Sequence, residues 1–336
     1  MKIVGFRGAY RNEDVYPFPK NKDYVMMDFD DAGKEKADAY VTTGVKGYYK
    51  SFGEQFDYIK ETGKPMIVFE GPTFRRGIKI GDPNYYYRVG LNDYTYNKGV
   101  FKNKNSPSDR WKMIEKEQGI EIKPWRTKGE YILICLQNPS DTSLNDLYTQ
   151  EVKDKLVRYT KGDDIQYNYI NYLYAVVQKI ATHTNEPIVI RYHPRFLEKY
   201  GNIDPGAGNK GGFFSRFHYQ RGMQNEIIYS KNYDNWNETN GGSGFQKDLD
   251  GARVVVSYSS NALVESVCEG IPTVALSKTS HAWPVSYHKL DIIGEDSIKC
   301  KFDRKQWLYD CAYTQWKQEE INSGEVHRRL LDDYNA

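Results

Sequence analysis

Residues 253–276 read RVVVSYSSNALVESVCEGIPTVAL, and this stretch restricts the fold more tightly than any other. Val254 to Val256 form an apolar run of buried-strand type, followed by a hydroxyl-rich turn from Ser257 to Ser260. A helix is expected from about Asn261 to Gly270, and a second apolar strand after Pro272. Strand, polar turn, helix and strand in that order build an open α/β sheet, and such sheets bind ligands at the carboxyl edge of their strands. The first N–H groups of the expected helix have no intrahelical partner and carry partial positive charge, which suits a phosphate. Ser259, Ser260 and Asn261 add side-chain donors, and Glu265 lies one turn in, where a carboxylate can accept from ribose hydroxyls. The same serines also read as ordinary N-caps that bond only to their own backbone.

Residues 187–195, PIVIRYHPR, supply a second element. Ile188 to Ile190 is another buried-strand run, and Pro194 stops it near the sheet edge. Arg191, His193 and Arg195 therefore gather where such sheets hold ligands, and an arginine fork matches phosphate oxygens.

Along the rest of the chain, strands are expected at Lys2 to Phe6, Tyr24 to Phe29, Ala39 to Thr42, Met66 to Phe69, Tyr131 to Leu136 and Glu226 to Tyr229. Helical spacing covers Tyr48 to Glu61, Tyr167 to Thr182, Phe245 to Leu249 and residues 303–322. Trp307, Leu308, Cys311, Ala312 and Trp316 form one stripe of the last. This alternation implies mostly parallel sheets. Residues 201–225, rich in glycine with arginine and phenylalanine, read as an insertion.

Residues 73–128 differ in character, with basic residues outnumbering acidic ones about two to one and aromatics interleaved. The mixture reads either as a nucleic-acid contact or as solvated loop with packing aromatics.

Size and composition bound the rest. With 336 residues the chain is long enough for two cores. A net charge of +2 argues against a polyanion binder acting through bulk charge. Cys135, Cys268, Cys300 and Cys311 show no CxxC spacing and read as free thiols of a reducing compartment. The start, MKIVGF, runs straight into a strand with no signal peptide, and no apolar stretch is long enough to cross a membrane. A cytoplasmic monomer is the expectation. The 29 tyrosines suit sugar or base surfaces, and equally an AT-rich genome.

The strand-end His193-Pro194 pair, followed later by Ser259, Ser260 and Glu265, resembles the nucleotide-sugar glycosyltransferases of GT-B type, in the branch of capsular polysaccharide and sialic-acid transferases. The stretches WRTKGEYILICLQN (125–138), RKQWL (304–308) and QWKQEEINSG (315–324) resemble phage-encoded glycosyltransferases. The resemblance spans roughly residues 60–325. It implies an α/β fold of two Rossmann-like domains facing a central cleft. Residues 1–128 would bind the acceptor and residues 129–302 the donor, with a C-terminal segment, 303–336, crossing back to the first domain.

The implied reaction moves a sugar from a nucleotide-sugar donor, UDP-linked in the commonest case, to a hydroxyl. Gln137, Arg191, His193, Arg195, Ser257, Ser259, Ser260, Asn261 and Glu265 would hold the donor and neutralise its leaving diphosphate. No DxD motif stands at a strand end of the second domain, so no cofactor is required and a divalent metal is optional. Asp93, Glu70 and Asp30 (with Asp31) are the candidate bases, Asp93 ranking first for its aromatic, basic surroundings. Asn92-Asp93 is also good turn chemistry. Arg7, Arg75, Arg76, Tyr85, Tyr87, Tyr94 and Lys98 are the expected acceptor contacts. The leading acceptor is a hydroxymethylated pyrimidine of phage DNA, reached by partial base extrusion. A surface or capsular glycan is the alternative, and a non-catalytic nucleic-acid-binding protein the second.

Overall fold

Most of the short apolar runs become strands buried on both faces, as sheets with helices on either side require, while the edge strands at Tyr24–Met27 and Ile227–Tyr229 are only partly buried. In the computed structural model the described residues are 1–10, 17–34, 36–45, 53–74, 81–138, 141–148, 164–194, 223–233 and 243–332. The chain divides into two compact units, Met1–Ile120 with Asp303–Ala336, and Glu121–Phe302.

The first unit opens with strands β1 (Ile3–Phe6), β2 (Tyr24–Met27), β3 (Ala39–Thr43), β4 (Met66–Glu70) and β5 (Tyr86–Leu91), and with helices α1 (Gly53–Glu61) and α2 (Asp109–Gln118). The second unit contributes β6 (Tyr131–Cys135), β7 (Ile188–Arg191), β8 (Ile227–Tyr229), β9 (Ala252–Ser257) and β10 (Thr273–Ala275). Its helices are α3 (Asp164–Ala181), α4 (Ser243–Asp250) and α5 (Ala262–Cys268). The chain then returns to the first unit as α6 (Lys305–Ala312), β11 (Gln315–Lys317), α7 (Gln318–Ser323) and α8 (Glu325–Leu331).

The second sheet runs β10-β9-β6-β7-β8, parallel throughout. The first runs β11-β5-β4-β3-β1-β2. Strands β1 to β4 are mutually parallel there, while β5 is antiparallel to β4 and to β11. Both are doubly wound α/β sheets of Rossmann-like kind, and each has one place where the strand order reverses. In the second sheet it lies between β6 and β9, and in the first between β1 and β3.

Gly270 shows how tightly the second unit closes. It ends α5 at φ 72°, and a Cβ there would lie 2.0 Å from the Pro124 carbonyl oxygen. The segment leading into β6 is stitched to this turn, with Lys123 N–H donating to Cys268 O at 2.9 Å and Arg126 N–H to Gly270 O at 2.6 Å.

Two expectations need correction. Residues 73–128 contain a fully buried strand, β5, and helix α2, whose Trp111 and Ile114 pack inward. The first sheet is consequently mixed. The single terminal helix is instead α6, then a strand, then two short helices, because Trp316 pairs with Tyr87 across β11 and β5. Of the helix expected at Tyr48 to Glu61, residues 48–52 lie outside the described residues, as do residues 201–222 of the glycine-rich stretch.

Candidate functional site

The second unit gathers its chemistry at one sheet edge. Parallel register sets Cys135 beside Arg191, Ile134 beside Val256 and Ser257 beside Ala275, so β6, β7, β9 and β10 all finish together. The segments carrying Gln137, His193 and Ser259 leave this carboxyl edge, with β6 between β7 and β9. Adjacent strands lie about 4.8 Å apart, which puts the exits of β7 and β9 about 10 Å from each other.

Gln137 ties this edge together across the reversal point. The Ser259 backbone N–H donates to Gln137 Oε1 at 2.9 Å. Gln137 Nε2 donates to Ser143 Oγ at 2.6 Å and to Ser259 Oγ at 3.1 Å. All three residues are buried. Gln137 thus shapes the edge rather than presenting its amide to solvent. Ser257 is likewise structural, its Oγ donating to the Cys135 carbonyl at 2.7 Å.

Beyond Ser259, half-buried Ser260 accepts the Ala262 N–H on its Oγ at 3.2 Å. The side chain of Asn261 makes no cap bond to α5. Half-buried Glu265 reaches the β6 exit electrostatically. Burial pushes the Cys135 thiol well above its usual range, Arg191 opposes this, and Asp248 and Glu265 reinforce it.

Arg191 is a correction. It is buried and ion-paired with buried Asp248. Asp248 also accepts from Ser230 Oγ at 2.6 Å and Asn232 Nδ2 at 2.6 Å. The guanidinium lies 4.6 Å from the Tyr233 ring centre and 5.3 Å from that of Phe245, and donates to the Asn232 carbonyl at 2.7 Å. Its charge is matched inside the protein, so it locks β7, β8 and α4 and does not face a phosphate. Two residues on, His193 is half-buried at the same exit. Between them, Tyr192 N–H donates to Tyr233 Oη at 2.8 Å. Arg195 lies outside the described residues.

The exit of β10 went unnoticed in the sequence. Leu276 N–H donates to Ser257 O and Ser277 N–H to Tyr258 O, each within 3.0 Å, which joins this exit to that of β9. Buried Ser277 and Thr279 share a hydroxyl bond of 2.8 Å, and between them Lys278 is exposed. The run of serine, lysine and threonine after an apolar strand was the available signal.

In the first unit, the sequence-predicted residues separate by edge. Arg7, Asp30 and Glu70 follow or end β1, β2 and β4 at the carboxyl edge. Arg7 pairs with Asp28 at 3.1 Å on the surface, Asp30 is exposed, and Asp31 pairs with Lys34. Glu70 is half-buried, its Oε1 accepting the Gly71 N–H at 2.8 Å.

Asp93, ranked first as base, lies at the opposite edge. Strand β5 runs antiparallel to β4, so its end at Leu91 pairs with Ile67, near the start of β4. Asp93 Oδ1 is engaged in a turn, accepting Thr95 N–H at 2.7 Å and Thr95 Oγ at 2.8 Å. Tyr94 and Lys98 share that edge. Tyr85, Tyr87 and Tyr94 are all buried, and the first two form an edge-to-face pair at 4.9 Å. Burial pushes the Tyr87 hydroxyl up to about 12. These rings are core and offer no stacking surface to a nucleic acid. Arg75 and Arg76 lie outside the described residues.

Among the described residues no group of three or more His, Cys, Asp or Glu side chains is placed to hold a metal ion, and no helix is long and apolar enough to cross a membrane.

No family model matches the sequence, and no curated protein does. Among solved structures, the chain is similar to the beta Kdo 2,4 transferase of Thermosulfurimonas dismutans KpsC, at 13% identity and TM-score 0.49, over 92% of this chain and 89% of that one. It is similar to the beta Kdo 2,7 transferase of the same KpsC, also at 13% and 0.49, over 98% and 100%. A third likeness is to Methanocaldococcus jannaschii UDP-GlcNAc 2-epimerase, at 12% identity and TM-score 0.27, over 82% and 75%. Likenesses at this level assign no activity to the chain.

Proposed function

We propose that the chain is a glycosyltransferase that binds a nucleotide-sugar donor at the carboxyl edge of its second sheet and passes the sugar to a hydroxyl of a saccharide. The observation that carries this reading is the reversal point between β6 and β9, lined by Ser260 and Asn261 and braced by the Gln137–Ser259 bond. Doubly wound sheets bind phosphorylated ligands at that place. His193 from β7 and Lys278 after β10 flank it with groups able to bear positive charge.

In this reading the donor diphosphate sits against Ser260, Asn261 and His193, and Glu265 accepts from the ribose. The acceptor oxygen attacks the anomeric carbon, the bond from that carbon to the phosphate oxygen breaks, and the nucleotide leaves with the electron pair. The acceptor proton passes to a general base. A single displacement of this kind inverts the anomeric centre. Donors aimed at the leaving phosphates stabilise the charge as it develops.

A saccharide acceptor is preferred to DNA on one structural ground. The aromatic part of the expected DNA footprint, Tyr85, Tyr87 and Tyr94, is buried in the first unit's core.

The test is a screen of UDP-, CMP- and GDP-sugars by thermal shift and by nucleotide release. At least one donor should stabilise the protein and be hydrolysed slowly, and His193→Ala should abolish the stabilisation. No response to any nucleotide sugar would sink the reading.

A further inference from the structure

Left-handed backbone at residues other than glycine is confined, among the described residues, to the loop that follows β5. Asn92, Lys102 and Asn105 sit there at φ 65°, 48° and 56°. Such conformations are uncommon for side chains with a Cβ and persist where the surroundings fix them. Hydrogen bonds do so here. Asn92 N–H donates to Met66 O at 2.6 Å, and Asn92 Oδ1 accepts the Met66 N–H at 3.0 Å. Arg329 Nη2 donates to Lys102 O at 2.6 Å, Asn103 Nδ2 to Asp310 O at 2.8 Å and Ser106 N–H to Asp310 Oδ1 at 2.8 Å. Between these ties, Gly99 N–H donates to Thr95 O at 2.9 Å and closes one turn. Gly99 is required there, because a Cβ would lie 2.5 Å from Asp93 O.

What this braced loop displays is the second, independent observation. Tyr96 and Val100, four residues apart, are 38% and 45% exposed, and they are two of the four large apolar side chains that the described residues leave open to solvent. Lys98 and Lys104 are exposed alongside them in the chain. From Tyr94 to Ser108 the sequence holds three lysines and no carboxylate.

We infer that residues 94–104 dock the first unit onto an anionic lipid surface. Tyrosine and valine enter the boundary between headgroups and acyl chains, and lysines beside them meet lipid phosphates. A protein partner fits less well, because stable interfaces bury about 800 Å² per partner and are depleted in lysine. Two partly exposed apolar side chains offer far less than that, yet suffice as one of two weak signals at a membrane. The loop leaves β5 at the amino edge of its sheet, opposite the edge where β1 and β4 end, so this contact is independent of the proposed reaction.

The test is cosedimentation of the full chain with vesicles of phosphatidylcholine, alone or with phosphatidylglycerol as a third of the lipid. The wild type should bind the anionic vesicles and not the neutral ones, and added salt should release it. Each lysine near such a surface is worth about fivefold in affinity, so Lys98→Glu with Lys104→Glu should weaken binding by at least about twentyfold. Tyr96→Ser with Val100→Ser should weaken it by at least about fivefold through lost apolar insertion. Ile228→Ser and Lys60→Glu, exposed elsewhere, should leave it unchanged. Should one loop pair fail to fold, the other decides. A wild type that ignores anionic vesicles, binding that survives a folded loop pair, or an equal loss in the controls overturns the inference. Self-association of the wild type that Tyr96→Ser with Val100→Ser abolishes, without vesicle binding, would assign the loop to a second copy and overturn it too.

Discussion

Gln137 Oε1 accepts the Ser259 backbone N–H at 2.9 Å, and this one bond spans the point where the second sheet reverses its strand order. Two exits that the sequence separates by more than a hundred residues are thereby held in register at the carboxyl edge of the sheet. The same amide reaches Ser143, so three segments share one buried side chain.

Replacing Gln137 with leucine removes both ends of that tie and strands a buried N–H. Leaving a buried donor unsatisfied costs about 1–3 kcal/mol, and the loss should appear in urea unfolding. Nucleotide affinity, measured by calorimetry with UDP, should fall at least tenfold. Unchanged affinity would show that Ser259 needs no such brace.

The Arg191–Asp248 pair makes a different prediction, because both charges are buried. Removing one partner leaves the other uncompensated, so Asp248→Leu should destabilise by about 3–5 kcal/mol. The double variant Arg191→Leu with Asp248→Leu should be more stable than Asp248→Leu alone. A double variant at least as unstable as the sum of the singles would return Arg191 to a role outside this pair.

His327 on α8 gives the first unit a pH dependence. Burial holds its imidazole below the usual histidine range, against the pull of the Asp23 carboxylate 3.1 Å from Nε2. The unfolded chain therefore takes up a proton more readily than the folded one. Stability is complete above the unfolded value of about 6.5 and is lost as pH falls through the lower folded value. Between about pH 7.5 and 5.5, where other side chains rarely titrate, the melting temperature of the wild type should fall more than that of His327→Gln. Parallel curves would remove His327 as the cause.

Much of the second unit was legible because its strands are short apolar runs that end in polar clusters. Val254 to Val256 and Ile188 to Ile190 announce themselves in this way. Their parallel, adjacent placement then delivers the shared edge. What sequence could not show was the fate of individual polar groups. Arg191 looks like a phosphate ligand until Asp248, fifty-seven residues later, is seen to neutralise it.

The first unit was harder to read. Strand β5 has Arg88 amid tyrosines, and its inward-facing rings resemble a binding surface when only composition is weighed. Asp93 misled for a topological reason. An antiparallel strand reverses which edge its end belongs to, and no local pattern near Asp93 records that. Trp316 reads as the continuation of a helical stripe, yet its partner Tyr87 draws it into the sheet.

The most direct measurement is a crystal structure of the full chain with UDP bound. The diphosphate should lie at the β6–β9 edge, within hydrogen-bond distance of Ser260 or Asn261 and with His193 alongside. UDP seated elsewhere, with that edge empty, would overturn the assignment of the second unit as the donor site.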